Sequence, residues 1–126
     1  MKDNAHPTFG HGKICYIHIP ALDLEVSASF YQHVFNWIIR HREDGSVSFD
    51  DGVGEVSGEW VLDREPTPHE GFAISIMVDD IIKSMDAVTR HGGTILSTDL
   101  EEDQKMASFK DPAGNIMGLY QHHLKS

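Results

Sequence analysis

Ile17-His18-Ile19-Pro20-Ala21-Leu22-Asp23-Leu24 recurs in pattern as Ile74-Ser75-Ile76-Met77-Val78-Asp79-Asp80-Ile81, at a constant offset of 57 residues. Each copy alternates its residues over a short run, as a half-buried strand does. An aspartate then follows that can accept from the free N–H groups at the start of a helix. An amphipathic stretch comes next in both. In the first, Leu24, Ala28, Tyr31, Val34 and Phe35 recur at helical spacing; in the second, Ile81 or Ile82, Met85 and Val88 do so before His91-Gly92-Gly93 stops the helix. The spacing predicts helices over Asp23–Phe35 and Asp80–His91.

Three strand-like runs come after each helix: Trp37–Arg42, Val47–Asp50 and Val56–Leu62, then Thr94–Thr98, Lys105–Lys110 and Ile116–Gln121. Glu43-Asp44-Gly45 and Asp111-Pro112-Ala113-Gly114-Asn115 carry the residues that tight reversals require. The chain therefore reads as βαβββ twice, an α+β protein. Arg64-Glu65-Pro66-Thr67-Pro68-His69-Glu70 is polar and twice interrupted by proline, so it is the expected linker. One domain over 1–126 is expected, with a first module over about 12–63, the linker over about 64–70 and a second module over about 71–123. A single helix covers only one face of its sheet. The two open faces are expected to form a curved eight-stranded sheet around a cleft, a usual place for a ligand.

Composition narrows the class. Of 126 residues, 40% are hydrophobic and 24% charged, which suits one globular core. No run of about 18 apolar residues occurs, and the opening MKDNAHPTFG has neither a basic head nor an apolar stretch. A cytoplasmic protein without membrane contact is expected. Twenty acidic against ten basic residues give a formal charge of −10, which repels the phosphates of nucleic acids. The single cysteine, Cys15, excludes an internal disulfide and reads as a small buried hydrophobe.

Four phrases in order carry a family resemblance: Ile17–Leu24 with Ser29-Phe30-Tyr31 and Val34-Phe35-Asn36-Trp37; Met77-Val78-Asp79-Asp80-Ile81; Gly92-Gly93; and Phe109-Lys110-Asp111-Pro112-Ala113-Gly114-Asn115-Ile116-Met117-Gly118-Leu119. Together they resemble the vicinal oxygen chelate superfamily, also called the glyoxalase, bleomycin resistance and extradiol dioxygenase superfamily. The resemblance implies paired βαβββ modules, commonly a homodimer, and in the enzymes one divalent metal held by His, Gln and Glu on inward-facing strand positions. Such a metal keeps open positions for a substrate's adjacent oxygens. The first ligand position, seven residues before Asp23, is Tyr16; its counterpart 57 residues on is Ala73. The carboxylate position, four residues after the glycine of the Asp-Pro-x-Gly turn, is Gly118. Neutral tyrosine is a weak ligand, and alanine and glycine have no side-chain donor. No metal or other cofactor is therefore expected, and a divalent metal enters only at a relocated site.

Strand alternation puts Ile14, Tyr16 and His18 on one face of the first strand and Cys15, Ile17 and Ile19 on the other, toward the helix. By the repeat, Ala73, Ser75 and Met77 share the open face, as do Ile116, Gly118 and Tyr120. Offset 57 from Gly118 gives Val61, hence Glu59 and Ser57. The expected ligand-binding set is Tyr16, His18, Glu59, Ser75 and Tyr120. His18 with Glu59 is either a proton-transfer pair, part of a relocated metal site, or a hydrogen-bonded His beside a ligand-contacting or solvated Glu without chemistry. Trp37, Phe49 and Trp60 either stack on a ligand or pack the core. His122-His123 with His6 or His11 reads as an adventitious surface chelate, Glu101-Glu102-Asp103 as a solvated turn, and Gly52-Val53-Gly54 as a turn. Two functions stay open, beside a blander third, a dimeric partner of another protein. One is a binding module of the bleomycin resistance type for a small aromatic or cationic compound; the other is a lyase, isomerase or dioxygenase-like enzyme using His18 and Glu59.

Overall fold

A computed structural model describes residues 7–11, 14–66, 74–101 and 103–121. The chain divides into two compact units, Met1–Arg64 and Glu65–Ser126. The first contains β1 (Tyr16–Pro20), α1 (Leu24–Phe35), β2 (Ile38–His41), β3 (Val47–Asp50) and β4 (Ser57–Val61). The second contains β5 (Ser75–Met77), α2 (Ile81–Arg90), β6 (Thr94–Asp99), β7 (Lys105–Lys110) and β8 (Ile116–Gln121). Each is a mixed four-stranded sheet, in the orders β1-β4-β3-β2 and β5-β8-β7-β6, with the first pair of each parallel. These are the two βαβββ modules that the repeat predicts. Ala73, His6, His122, His123, Glu102 and the linker residues 67–70 lie outside the described residues.

The helices start where their aspartates cap them. Asp23 accepts from the backbone N–H groups of Glu25 and Val26 at 3.0 and 3.1 Å, and Asp80 from that of Lys83 at 3.2 Å. At the other end α1 closes on Asn36 in the left-handed conformation, φ 62°, a cap that asparagine tolerates better than most residues. Asp51 and Asp111 build matching turns between the last two strands of each unit. Asp51 Oδ1 accepts from the N–H groups of Glu55 and Val56 at 2.7 and 3.1 Å; Asp111 Oδ1 accepts from those of Ala113, Gly114 and Asn115 at 2.9–3.0 Å. In each, the glycine three residues on, Gly54 (φ 75°) or Gly114 (φ 109°), donates back to the aspartate carbonyl at 3.0 Å.

The first turn spans residues 51–56 and the second 111–115, one residue fewer. This corrects the repeat arithmetic. Ladder register pairs His18 with Glu59 and Ser75 with Gly118, so the twin of Gly118 is Glu59, at an offset of 59, rather than Val61. The error of two preserves strand parity, which is why Glu59 still falls on the open face. A second correction concerns Cys15, which is exposed and precedes β1 instead of lying under the helix. Its carbonyl still accepts from the Ser57 N–H at 3.3 Å, but its side chain lies outside the ladder.

In the first unit Ile19, Phe49 and Trp60 meet α1 through Ala28, Phe30 and Tyr31, all 2% exposed or less. Trp37 stacks between Tyr31 and Phe49, with centroids 4.6 and 4.5 Å away, and Phe49 lies 4.8 Å from Trp60. Of the two readings of Trp37, Phe49 and Trp60, packing is the one realised. Gly58 makes this possible, since a methyl there would overlap the Ile17 carbonyl oxygen and stand 2.6 Å from the Phe49 ring. The second unit packs Ile81 and Val88 of α2 over Ala107, Phe109, Met117 and Leu119.

Trp60 Nε1 is buried without a hydrogen-bond partner among the described residues. Leaving a buried donor unpaired costs about 1–3 kcal/mol, which offsets part of what the indole's extra area contributes. Trp60→Phe is therefore expected to stay within about 1 kcal/mol of the wild type in urea unfolding, whereas Trp60→Ala loses about 3–5 kcal/mol. A phenylalanine variant as damaged as the alanine one would show that the indole N–H is paired after all.

Candidate functional site

Side chains that a helix does not cover are those available for chemistry. In the first unit, the face turned away from α1 carries Tyr16 and His18 on β1, Ser57 and Glu59 on β4, Ser48 and Asp50 on β3, and Ile38 and Arg40 on β2. Ladder register sets His18, Glu59, Ser48 and Arg40 directly opposite one another in a single row across all four strands. Next to it runs the row Tyr16, Ser57, Asp50, Ile38.

Hydrogen bonds tie the rows together. The Tyr16 hydroxyl donates to Glu59 Oε1 at 3.0 Å, and the Tyr16 ring meets the His18 ring edge-on with centroids 5.3 Å apart. Ser57 Oγ donates to Asp50 at 2.7 Å, and Arg40 forms an ion pair with the same carboxylate. Arg42, just past β2 on the same parity, donates from Nε to Ser48 Oγ at 3.2 Å. Ser48 is only 3% exposed, whereas Tyr16 is 43% exposed. The expected trio Tyr16, His18 and Glu59 is thus gathered on one face. Ser48, Asp50, Arg40 and Arg42 belong to the same face but were not among the expected residues.

The other two expected residues, Ser75 and Tyr120, lie on the corresponding face of the second unit. There the twin row reads Ser75, Gly118, Ser108, Ser97. The last two hydroxyls are hydrogen-bonded at 2.6 Å. The neighbouring row is Met77, Tyr120, Met106, with both methionines exposed. One unit places two carboxylates and three cations or cation-formers on its open face, and the other a floor of small residues beside sulfur and aromatic surface.

The metal set that the family resemblance implies does not fit these residues. Tyr16 is a neutral phenol whose hydroxyl donates a hydrogen bond to Glu59, Gly118 has no side-chain donor atom, and Glu59 is the one carboxylate on the twin positions. Among the described residues no group of three or more His, Cys, Asp or Glu side chains could hold a metal ion.

Burial pushes the Tyr16 phenol above its ordinary value of 10.0; the hydrogen bond to Glu59 and the charge of that carboxylate push the same way, and Arg42 opposes them. A raised folded value means that the neutral phenol is the form the fold favours. Its contribution to stability is complete below the ordinary value and is lost as pH rises through the folded one. Following phenolate absorbance, the Tyr16 transition is expected above pH 10.0 in the wild type and lower in Glu59→Gln. An unchanged transition in that variant would mean that the Tyr16–Glu59 contact does not hold in solution.

Comparison with known proteins agrees with this architecture. Residues 13–118 match the family described as the Glyoxalase/Bleomycin resistance protein/Dioxygenase superfamily. A glyoxylase-like domain-containing protein of Didymella fabae is 34% identical over 94 residues, which cover 69% of this chain and 73% of that one. A glyoxalase/bleomycin resistance protein/dioxygenase family enzyme from Burkholderia phytofirmans PsJN superposes with a TM-score of 0.71 at 19% identity, covering 86% of this chain and 97% of its own. TnmS3, an antibiotic binding protein from Streptomyces sp. CB03234, gives 0.67 at 19% identity, covering 91% and 99%. The two structures speak to the fold. With the family match spanning most of the chain, the protein belongs to the glyoxalase/bleomycin resistance protein/dioxygenase superfamily.

Proposed function

We propose that this protein binds a small organic molecule, aromatic or cationic in part, on the polar open face of its first sheet, without the metal that enzymes of the superfamily use. The observation that carries this reading is the Tyr16–Glu59 hydrogen bond at 3.0 Å. It closes with a proton the contact that a metal ion would otherwise make between these two strands. The half-exposed Tyr16 ring offers an aromatic edge, and Glu59 offers its second oxygen to a donor or cation. That a structural relative is an antibiotic binding protein supports the same class of function. The test is metal content after dialysis against Ni, Zn, Mn and Fe, with excess ion removed, followed by a thermal-shift screen of aromatic and cationic compounds. No stoichiometric retention and a stabilising organic compound are expected. Near-stoichiometric retention that vanishes in His18→Ala would overturn the metal-free reading.

A second reading has its own observation. His18 faces Glu59 directly across the parallel β1–β4 ladder, so an imidazole and a carboxylate stand within one strand spacing, the arrangement from which proton transfer to a bound substrate is built. This is the enzyme reading, with His18 and Glu59 as the proton-transfer pair.

The binding reading includes a cytoplasmic homodimer. Sedimentation at micromolar protein is expected to give twice the chain mass of 14.1 kDa; a single-chain mass would refute the dimer.

A further inference from the structure

The chain has only four arginines against twenty acidic residues. In such a surplus of carboxylates, a guanidinium without an acidic partner is the exception. Arg40 pairs with Asp50, Arg64 with Asp63 and Arg90 with Asp86. Arg42 alone among them has no ion pair among the described residues, although Asp44 and Tyr16 stand near enough to feel its charge. The Asp44 carboxylate is turned into the hairpin, where Ser46 N and Oγ donate to it at 2.9 and 2.7 Å. Glu59 Oε1 accepts from Tyr16, which is close enough to feel the Arg42 charge.

The single bond that Arg42 does make determines its orientation. Nε donates to the Oγ of Ser48, a side chain 3% exposed in the middle of the site row. Anchoring a guanidinium through Nε leaves the end-on fork, one N–H from each terminal nitrogen running parallel, pointing away from the chain. That fork matches the two oxygens of a carboxylate or another oxyanion. A lysine in its place would present a point charge and could not be held this way while keeping the fork.

We propose that Arg42, positioned by Ser48, is the oxyanion-recognition residue of this face, so that the bound organic molecule carries a carboxylate or comparable oxyanion at the end that meets β2. The inference rests on the binding function proposed above and adds the charge of one end of the ligand. Glu59 and Tyr16 receive the remainder of the molecule, its donor groups and ring, a few ångströms across the sheet.

Benzoate, benzylamine and benzyl alcohol serve as probes of one ring with three head groups, titrated into the full chain while amide and arginine Nε–H resonances are followed. Benzoate is expected to shift the Arg42 Nε–H and neighbouring amides. Arg42→Gln should weaken it by about tenfold or more, the loss of a charge-assisted pair, and Ser48→Ala by a smaller factor. Arg90→Gln, which removes the same charge from an exposed helical pair, should leave benzoate affinity unchanged. Glu59→Gln should weaken benzylamine and spare benzoate. Equal binding of benzoate to wild type and Arg42→Gln, or shifts confined to benzylamine and benzyl alcohol, would overturn the oxyanion assignment while leaving the binding function in place. No response of Tyr16, His18 or Glu59 to any of the three probes would overturn both.

Discussion

The parallel pairing of β1 with β4 is the contact on which the remaining structure depends. β2, β3 and β4 form an antiparallel meander, and joining β1 to its far edge completes the four-stranded sheet and brings Tyr16 and His18 beside Glu59. The close approach is demanding. Gly58, opposite Ile17 in that ladder, has no room for a side chain because Phe49 lies over it. Once Ile19, Phe49 and Trp60 are committed to the helix, alternation leaves Tyr16, His18, Ser48 and Glu59 no choice but the other face. A slip of β1 by one residue would turn Tyr16 and His18 toward the helix side and expose Ile19.

Duplication then provides a control within one chain. The helix-facing positions keep their character between copies: Phe49 answers to Phe109, Trp60 to Leu119, Ile19 to Ile76. The uncovered row does not. His18, Glu59, Ser48 and Arg40 correspond in register to Ser75, Gly118, Ser108 and Ser97 in the twin. Only the serine of the third strand is common to both. Packing therefore holds the frame constant while the open face is released to diverge. One copy concentrates titratable and hydrogen-bonding groups, and the other clears space down to Gly118, where a Cβ would come within 2.9 Å of Ser75 Oγ.

Much of this was legible from the residues alone. The aspartate caps, the two helices and the turn glycines each follow from a local chemical need, and the repeat supplied the order. Strand parity placed Tyr16, His18 and Glu59 correctly even though the repeat offset drifted, because the drift on the last strand was two. What escaped was the contribution of β2 and β3. On β2 the apolar residues do not mark the helix side: Ile38 is 55% exposed on the open face, while the polar His41 lies on the covered side and reaches Glu25 of α1 at 3.1 Å, so Arg40 and Arg42 could not be assigned to a face. On β3 Val47 and Phe49 alternate with Ser48 and Asp50, but while Phe49 could equally stack on a ligand, that alternation named no open face. Cys15 failed for a related reason, since an apolar neighbourhood in sequence says nothing about where a ladder begins.

The contrast between overall and local charge bears on how such a face works. A formal charge of −10 acts at long range and, beyond roughly 10 Å in physiological salt, is largely screened. It slows the approach of anions without setting how firmly one is held. Holding is a short-range matter of unsatisfied donors, and the row centred on Ser48 distributes these unevenly. Arg40 spends its charge on Asp50, and Tyr16 its proton on Glu59. Arg42 spends one N–H on a neutral hydroxyl and retains its charge. The pairing pattern on this face, rather than the sum of its charges, therefore determines which end of a small molecule it accepts.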